Sequence, residues 1–261
     1  MSSESKKNFA IRTAKEAAQI LMKYFRTNKI QKQLKKGNQW VTRADKESEK
    51  LILKRIKESG FDGKILSEER GELSFGKSKN RWIIDPLDGT IEYAKGSSYF
   101  CVSMALEENG EIVLGVVYSP VLNELFYAEK NKGAFLNGKR IHVSQETNLK
   151  KSIIDFAVWP TKNATKEYLV KLFSKQLVMY TYRFHGALAL EACHVARGTF
   201  EVALDTSANL YDIAAALLII RESGGKVTNI HGKQWNLGWK KNSFLASNGK
   251  IHKKVLRLFK L

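Results

Sequence analysis

Residues 82–90 read WIIDPLDGT: an apolar run, Trp82-Ile83-Ile84, that ends abruptly in two aspartates. The run has the character of a buried strand. A strand that stops at Asp85 delivers that carboxylate to the edge of a sheet, because Pro86 has no N–H with which to continue the ladder. Asp88 and Gly89 then turn the chain, and Gly89 and Thr90 expose backbone N–H groups. Two carboxylates beside free amide donors can hold divalent cations and an anion, such as a phosphate, bridging them. The competing reading is an ordinary turn, since Asp, Pro, Gly and Thr are all turn residues.

On the N-terminal side, Ala10, Ala14, Ala17, Ala18, Leu21 and Phe25 recur at helical spacing and predict an amphipathic helix over about 5–26. A second helix is expected over about 45–59, where Leu51, Ile52, Leu53 and Ile56 are apolar and Gly60 stands just past the end. Segments 81–85, 100–106, 112–118 and 125–128 read as strands. AFLNGKRIHV (134–143) reads as a hairpin turning at Asn137-Gly138, a pair suited to a type I′ turn.

In the second half, IIDFAVW (153–159), LVMYTYRF (177–184), FEVAL (200–204), KVTN (226–229) and SFLASN (243–248) read as strands. GALALEACHVARG (186–198) and NLYDIAAALLIIRESGG (209–225) read as helices that stop at Gly198 and Gly224-Gly225. This mixed order, rather than regular βαβ repetition, predicts layered helices and sheets of the α+β class. No internal repeat or low-complexity linker separates the halves, so two domains, if present, must pack closely.

A chain of 261 residues can form one large domain or two intimate halves around a substantial core. Hydrophobic content of 43% with 27% charged residues is ordinary for a soluble globular protein. Cys101 and Cys193 both lie in apolar segments and read as buried free thiols, not as a disulfide or metal pair. No stretch approaches the roughly 18 consecutive apolar residues of a membrane span. The opening MSSESKKNFA lacks a signal-peptide core, so a cytoplasmic location is expected.

Lys and Arg number 44 against 26 Asp and Glu, a net charge of +18. Such an excess accompanies binding to nucleic acid or anionic surfaces in many proteins. Here the lysines are scattered, and no nucleic-acid-binding signature goes with them. A solvated basic surface that helps attract anionic small molecules is expected, with neither nucleic acid nor membrane as partner.

Further acids accompany the opening pair. ILSEER places Glu68 and Glu69 after a short apolar run, and LYDIAAA places Asp212 at the start of a buried helix. A helix start favours a carboxylate on its own account. VTRAD puts Asp45 at a loop-to-helix junction, where an N-cap is the plain reading. Yet VTRAD, LSEE, WIIDPLDGT and YDIAAALLIIRESGG stand in the order and approximate spacing of the inositol monophosphatase family. These are the magnesium-dependent, lithium-sensitive sugar-phosphate phosphatases. The chain resembles them from its first helix to SFLASN, and RFHGALALEACHVARG is similar to their R-x-x-G-small-A segment. Four ordered matches make a coincidental turn a poor account.

The resemblance implies a layered αβαβα sandwich forming one compact unit. An N-terminal half, residues 1–145, would carry an antiparallel sheet and most metal ligands. A C-terminal α/β half, residues 146–261, would select the substrate and supply Asp212. By the same resemblance, Glu68, Asp85 and the carbonyl of Leu87 hold a first Mg²⁺. Asp85 bridges to a second, completed by Asp88 and Asp212, and a third, weaker ion sits by Glu68. Mn²⁺ is a possible substitute, and a homodimer is the family's common state. Hard oxygen donors suit Mg²⁺ independently of any family. Two such ions stabilise both the attacking and the leaving oxygen of an in-line displacement. The attacking water would be oriented by Thr90 paired with Asp45, while Gly89 and Thr90 N–H groups grip the phosphate. Metal ligation by Asp85 and Asp88 argues against either as a covalent nucleophile.

Substrate selection would rest on Arg183, Gly186, Ala187, Leu188 and Asp205, with Asp88, Gly89 and Thr90 at the phosphate. Asp205 stands where inositol phosphatases carry a glutamate that contacts ring hydroxyls, and a carboxylate there accepts hydroxyl hydrogen bonds. Asp205 is shorter than that glutamate, and Leu188 is bulkier than the usual alanine. Inositol monophosphate and/or fructose 1,6-bisphosphate are the expected substrates. Lys95 would be placed for a second phosphate, as basic residues are in archaeal dual-activity enzymes. Glu92-Tyr93 resembles the Glu-Phe of nucleotide bisphosphate phosphatases, which keeps 3′-phosphoadenosine 5′-phosphate as an alternative. The plain reading of both is a solvated loop. An anion- or nucleic-acid-binding protein on a degenerate scaffold would show eroded metal ligands, whereas all four acidic positions are intact.

Overall fold

The computed structural model describes residues 5–28, 32–34, 40–157 and 179–259. Helix α1 (Lys6–Tyr24) begins where the Ser5 hydroxyl accepts from Asn8 N–H, and it buries Phe9, Ala10, Ala14, Ala17 and Leu21. A short hairpin, β1 (Lys32–Leu34) and β2 (Trp40–Thr42), leads into α2 (Arg43–Glu58). The first half continues with β3 (Lys64–Ser67), β4 (Gly71–Ser74), β5 (Arg81–Asp88) and the single turn α3 (Thr90–Ala94). Strands β6 (Cys101–Glu108), β7 (Glu111–Ser119), β8 (Glu124–Glu129), β9 (Gly133–Leu136) and β10 (Lys139–Ile141) follow. Asn137 (φ 48°) and Gly138 (φ 82°) join the last two, as a type I′ turn requires.

The remainder contains β11 (Ile153–Ala157), β12 (Thr181–Arg183) and α4 (Leu188–Ala196). Strand β13 (Val202–Asn209) and α5 (Leu210–Glu222) come next. Finally β14 (Lys226–Thr228), β15 (Lys241–Ser247) and α6 (His252–Phe259) close the chain. The strand predicted over 177–184 contracts to β12, with 177–178 outside the described residues, as are 158–159 of the strand predicted over 153–159.

Eight strands form one sheet in the order β10-β9-β8-β7-β6-β5-β3-β4, and five form another in the order β12-β11-β13-β15-β14. Period-two alternation decides what each face meets. On β5, Trp82 and Ile84 pack with Phe9, Leu21, Ile52 and Ile56 of α1 and α2, while Ile83 faces α4 and α5. On β13, Ala203 turns inward to the same two helices, and Val202 and Leu204 turn outward to Ile251 and Val255 beside α6. The result is five layers, α1/α2, sheet, α4/α5, sheet and α6, in an α+β fold. Helix α5 has no polar face because it is covered on both sides: Ile213 through Ile220 are all buried. Among the described residues no helix is long and apolar enough to cross a membrane.

Candidate active site

Asp85 pairs with Ser103 and Asp88 with Cys101, so three steps along β5 oppose two along β6. The extra residue lies within Pro86-Leu87, where a bulge tolerates the missing N–H. Local partners take up the polar groups this displaces. Leu87 N–H donates to Asp85 Oδ1 at 2.9 Å, Ser48 Oγ to the Pro86 carbonyl at 3.0 Å, and Thr90 Oγ1 to the Leu87 carbonyl at 3.1 Å. The strand therefore runs on to Asp88. Its predicted end at Asp85 is corrected because Pro86 bends the ladder without ending it.

Gly89 follows in the left-handed region, with φ +87°. A Cβ there would come within 2.9 Å of the Tyr99 carbonyl oxygen and 3.0 Å of Ala187 Cβ. Both the backbone conformation and the close approach of the segment 186–188 call for glycine.

Four carboxylates gather around this turn. Asp85 is buried, and its acidity is weakened first by burial and then by the charges of Glu68, Asp88 and Asp212. Asp88 is pushed up to about 8 by burial and by Asp212; its Oδ2 accepts from Ala189 N–H at 2.7 Å, across from α4. Asp212 caps α5, with Oδ2 accepting from Asn209 N–H at 2.7 Å, and burial raises it to about 6. Glu68 stands just beyond β3 and acts on Asp85 through its field.

Asp45 serves two elements. Its Oδ2 accepts from Thr42 N–H at 2.8 Å, completing the cap of α2, and its Oδ1 accepts from Thr90 Oγ1 at 3.1 Å. Burial pushes Asp45 up to about 6, Thr42 opposes that, and Glu69 adds to it. The helix-cap reading and the pairing with Thr90 are both realised, on different oxygens.

Among the described residues no three acidic, His or Cys side chains converge into a finished cation cage. Like charges without a counter-ion repel one another. The donor chemistry nevertheless fits a hard divalent cation. Asp85, Asp88 and Asp212 each commit one oxygen to a backbone N–H and leave the other without a hydrogen-bond partner among the described residues.

The substrate residues divide. Gly186 (φ +86°) and Ala187 both donate their N–H groups to the buried Glu191 Oε1, at 2.7 and 3.2 Å. A Cβ at Gly186 would strike the Glu92 carboxylate at 2.4 Å. Leu188 is buried at the start of α4. Asp205 is buried on β13 just before a second one-residue bulge, and its field reaches Glu191. Arg183 is exposed and turned back on its own strand, with Nη1 on Thr181 Oγ1 and the Tyr182 carbonyl.

Comparison with known proteins gives the family of the chain. The model of the inositol monophosphatase family matches residues 3–260. The chain belongs to the inositol monophosphatase family. A fructose-1,6-bisphosphatase/inositol-1-monophosphatase of Thermotoga maritima is 36% identical over 96% of this chain and 94% of its own length. A Nus factor SuhB of Pasteurella multocida is 36% identical over 86% of this chain and 85% of its own. The solved extragenic suppressor protein suhB of Bartonella henselae superposes with a TM-score of 0.91, at 33% identity and 97% coverage of both chains. As a member of the inositol monophosphatase family the chain is a phosphatase, a hydrolase of phosphate monoesters, and the family is generally metal-dependent.

Around this candidate site stand residues that sequence reasoning passed over. Glu49, buried on α2, accepts from Arg70 N–H and Nε, both at 3.1 Å, and from Ser67 Oγ, and so fixes the turn that carries Glu68. Nothing marks it among the charges of its helix. Glu191 and Asp155 are buried acids within apolar segments, and that anomaly was a legible signal.

Proposed function

We propose that this phosphatase hydrolyses small-molecule phosphate monoesters, inositol monophosphate and/or fructose 1,6-bisphosphate, with Mg²⁺ as cofactor. The carrying observation is the carboxylate group of buried Asp85 and Asp88 and half-buried Asp212, with Glu68 in its field, beside the Gly89-Thr90 turn. Glu68, Asp85, the Leu87 carbonyl, Asp88 and Asp212 would hold two to three ions, and Mn²⁺ could replace Mg²⁺. When bound, such ions supply positive charge to the phosphoryl oxygens and lower the pKa of water.

The chain's own groups do the rest. The phosphate lies against the N–H groups of Gly89 and Thr90, the first of which precedes a helical turn whose early amides lack intrahelical partners. Thr90 Oγ1 orients the attacking water, and Asp45 Oδ1, on the far side of that hydroxyl, accepts the displaced proton. A carboxylate raised to about 6 suits that role near neutral pH. Gly186, Ala187, Leu188 and Asp205 face the remainder of the ester, with Arg183 at the rim. A homodimer, lithium inhibition and a cytoplasmic location belong to the same reading.

A phosphate-release panel tests it, with inositol 1-phosphate, fructose 1,6-bisphosphate, phosphoadenosine phosphate and NADP, each with and without Mg²⁺. Turnover of the first two only in the presence of Mg²⁺ is expected. Asp88→Asn should abolish release while keeping the fold; undiminished turnover in that variant would remove the metal assignment.

A further inference from the structure

His185 lies between β12 and Gly186, immediately beside the segment that touches the phosphate turn. Its Nδ1 is hydrogen-bonded to Asp155 Oδ2 on β11. The imidazole is stacked on Tyr99, with centroids 4.3 Å apart at 21°, and Phe200 lies parallel at 5.8 Å and 16°. Tyr99 in turn brings its backbone carbonyl against Gly89. The His185 side chain is 31% exposed, and its Nε2 has no hydrogen-bond partner among the described residues. Asp155 is 0% exposed, and its Oδ1 is buried without a partner among them. The imidazole is thus held between two near-parallel ring contacts and at one nitrogen by Asp155, and the other nitrogen is left over.

A carboxylate only accepts, so Nδ1 carries the proton in the neutral ring and Nε2 presents a lone pair. The acceptors nearby are carboxylates as well. Glu92 abuts Gly186 and lies within the electrostatic reach of His185, and Asp205 acts on Glu191 beneath the same loop. Arg183, the neighbouring cation, is occupied on its own strand. A lining with these acceptors matches hydroxyl donors.

We infer that His185 is a specificity-determining residue whose Nε2 accepts a hydrogen bond from a hydroxyl of a polyol monophosphate, and that Asp155 is the positioning residue that holds the required tautomer. This rests on the phosphatase reading above.

The test is steady-state kinetics of the full chain with Mg²⁺, comparing inositol 1-phosphate with p-nitrophenyl phosphate, which has no hydroxyl to offer. Removing only the imidazole would strand a buried carboxylate, so His185→Phe is combined with Asp155→Leu. That pair keeps the ring stack and removes both polar partners together. The double variant should raise KM for inositol 1-phosphate about tenfold with kcat within about twofold, the loss of one hydrogen bond, and leave both constants for p-nitrophenyl phosphate within about twofold. Asp155→Asn, whose amide can donate to Nδ1 and so release the other tautomer, should move KM the same way. Equal losses on both esters, or no change on either, would overturn the inference, and if the double variant melts in the assay range Asp155→Asn decides alone. Absence of wild-type turnover on both esters would instead sink the phosphatase reading itself.

Discussion

Thr90 has one hydroxyl proton and two acceptors at equal distance, Asp45 Oδ1 and the Leu87 carbonyl, each 3.1 Å away. It can serve one at a time; while it donates to Asp45 Oδ1 its oxygen accepts from a water, which is thereby oriented to pass a proton toward Asp45. Thr90→Val keeps the shape and removes the relay; kcat should fall about a hundredfold or more with KM little changed, the range for losing a positioned proton acceptor. Thr90→Ser should keep most activity, and equal kcat in the two variants would refute the role. Asp45 shows why sequence reading stops short at this scale. VTRAD is equally good as a helix cap or as a catalytic partner, and a carboxylate has two oxygens with which to be both. The pairing of His185 with Asp155 was hidden for another reason: 30 positions apart in sequence, they become partners through strand pairing, Asp155 lying in register with Arg183.

Two strands place the site, and each contains a one-residue bulge just after an aspartate, Asp85 on β5 and Asp205 on β13. Bulges re-aim side chains, which lets a buried strand present an acid at its end. The turn after β5 depends on Gly89. Gly89→Ala would force a left-handed Cβ against the Tyr99 carbonyl and Ala187, so a loss of about 1–3 kcal/mol is expected. Activity should fall further than stability, because the shift separates the turn from α4. A melting curve and a phosphate-release assay on the same preparation check both; an alanine variant of wild-type stability and rate would show that the approach is loose. Long periodic helices such as α1 and α2 were legible from spacing, and α5 from its long apolar run ending at Gly224-Gly225. Strands β3 and β4 were not, since KILS and GELS are too short and polar to show a period. Helix α6 was not legible, its few apolar residues standing among lysines and an arginine, although they cover the outer face of the second sheet.

Across the whole molecule, α4 and α5 form a middle layer gripped by both sheets, and the acid cluster sits where that layer meets the first sheet. Its electrostatics therefore bear on global stability. Asp88 is pushed up to about 8, far above the ordinary carboxylate, so between those values the native state binds a proton that the unfolded chain has released. Stability contributed by such a group is complete below the unfolded value and is lost as pH rises through the folded one. Asp45 and Asp212, at about 6, act in the same direction but are spent by neutral pH. His252, buried between Thr228 and Ser247 and lowered to about 4, acts oppositely: its contribution is present above the ordinary histidine range and is lost as pH falls through about 4. From pH 6.5 to 8, then, Asp88 acts together with Asp85 and Glu191, both held well above the ordinary carboxylate by burial and neighbouring charge, and the metal-free protein should lose about 2 kcal/mol or more, or several degrees of Tm. Mg²⁺ bound to the ionised carboxylates should flatten that slope, and Asp88→Asn should reduce it without Mg²⁺. Scanning calorimetry at the two pH values, with chelator and with excess Mg²⁺, measures all three. A metal-free Tm that rises over this interval would show that the acid cluster is compensated within the fold, and that its carboxylates do not await a cation.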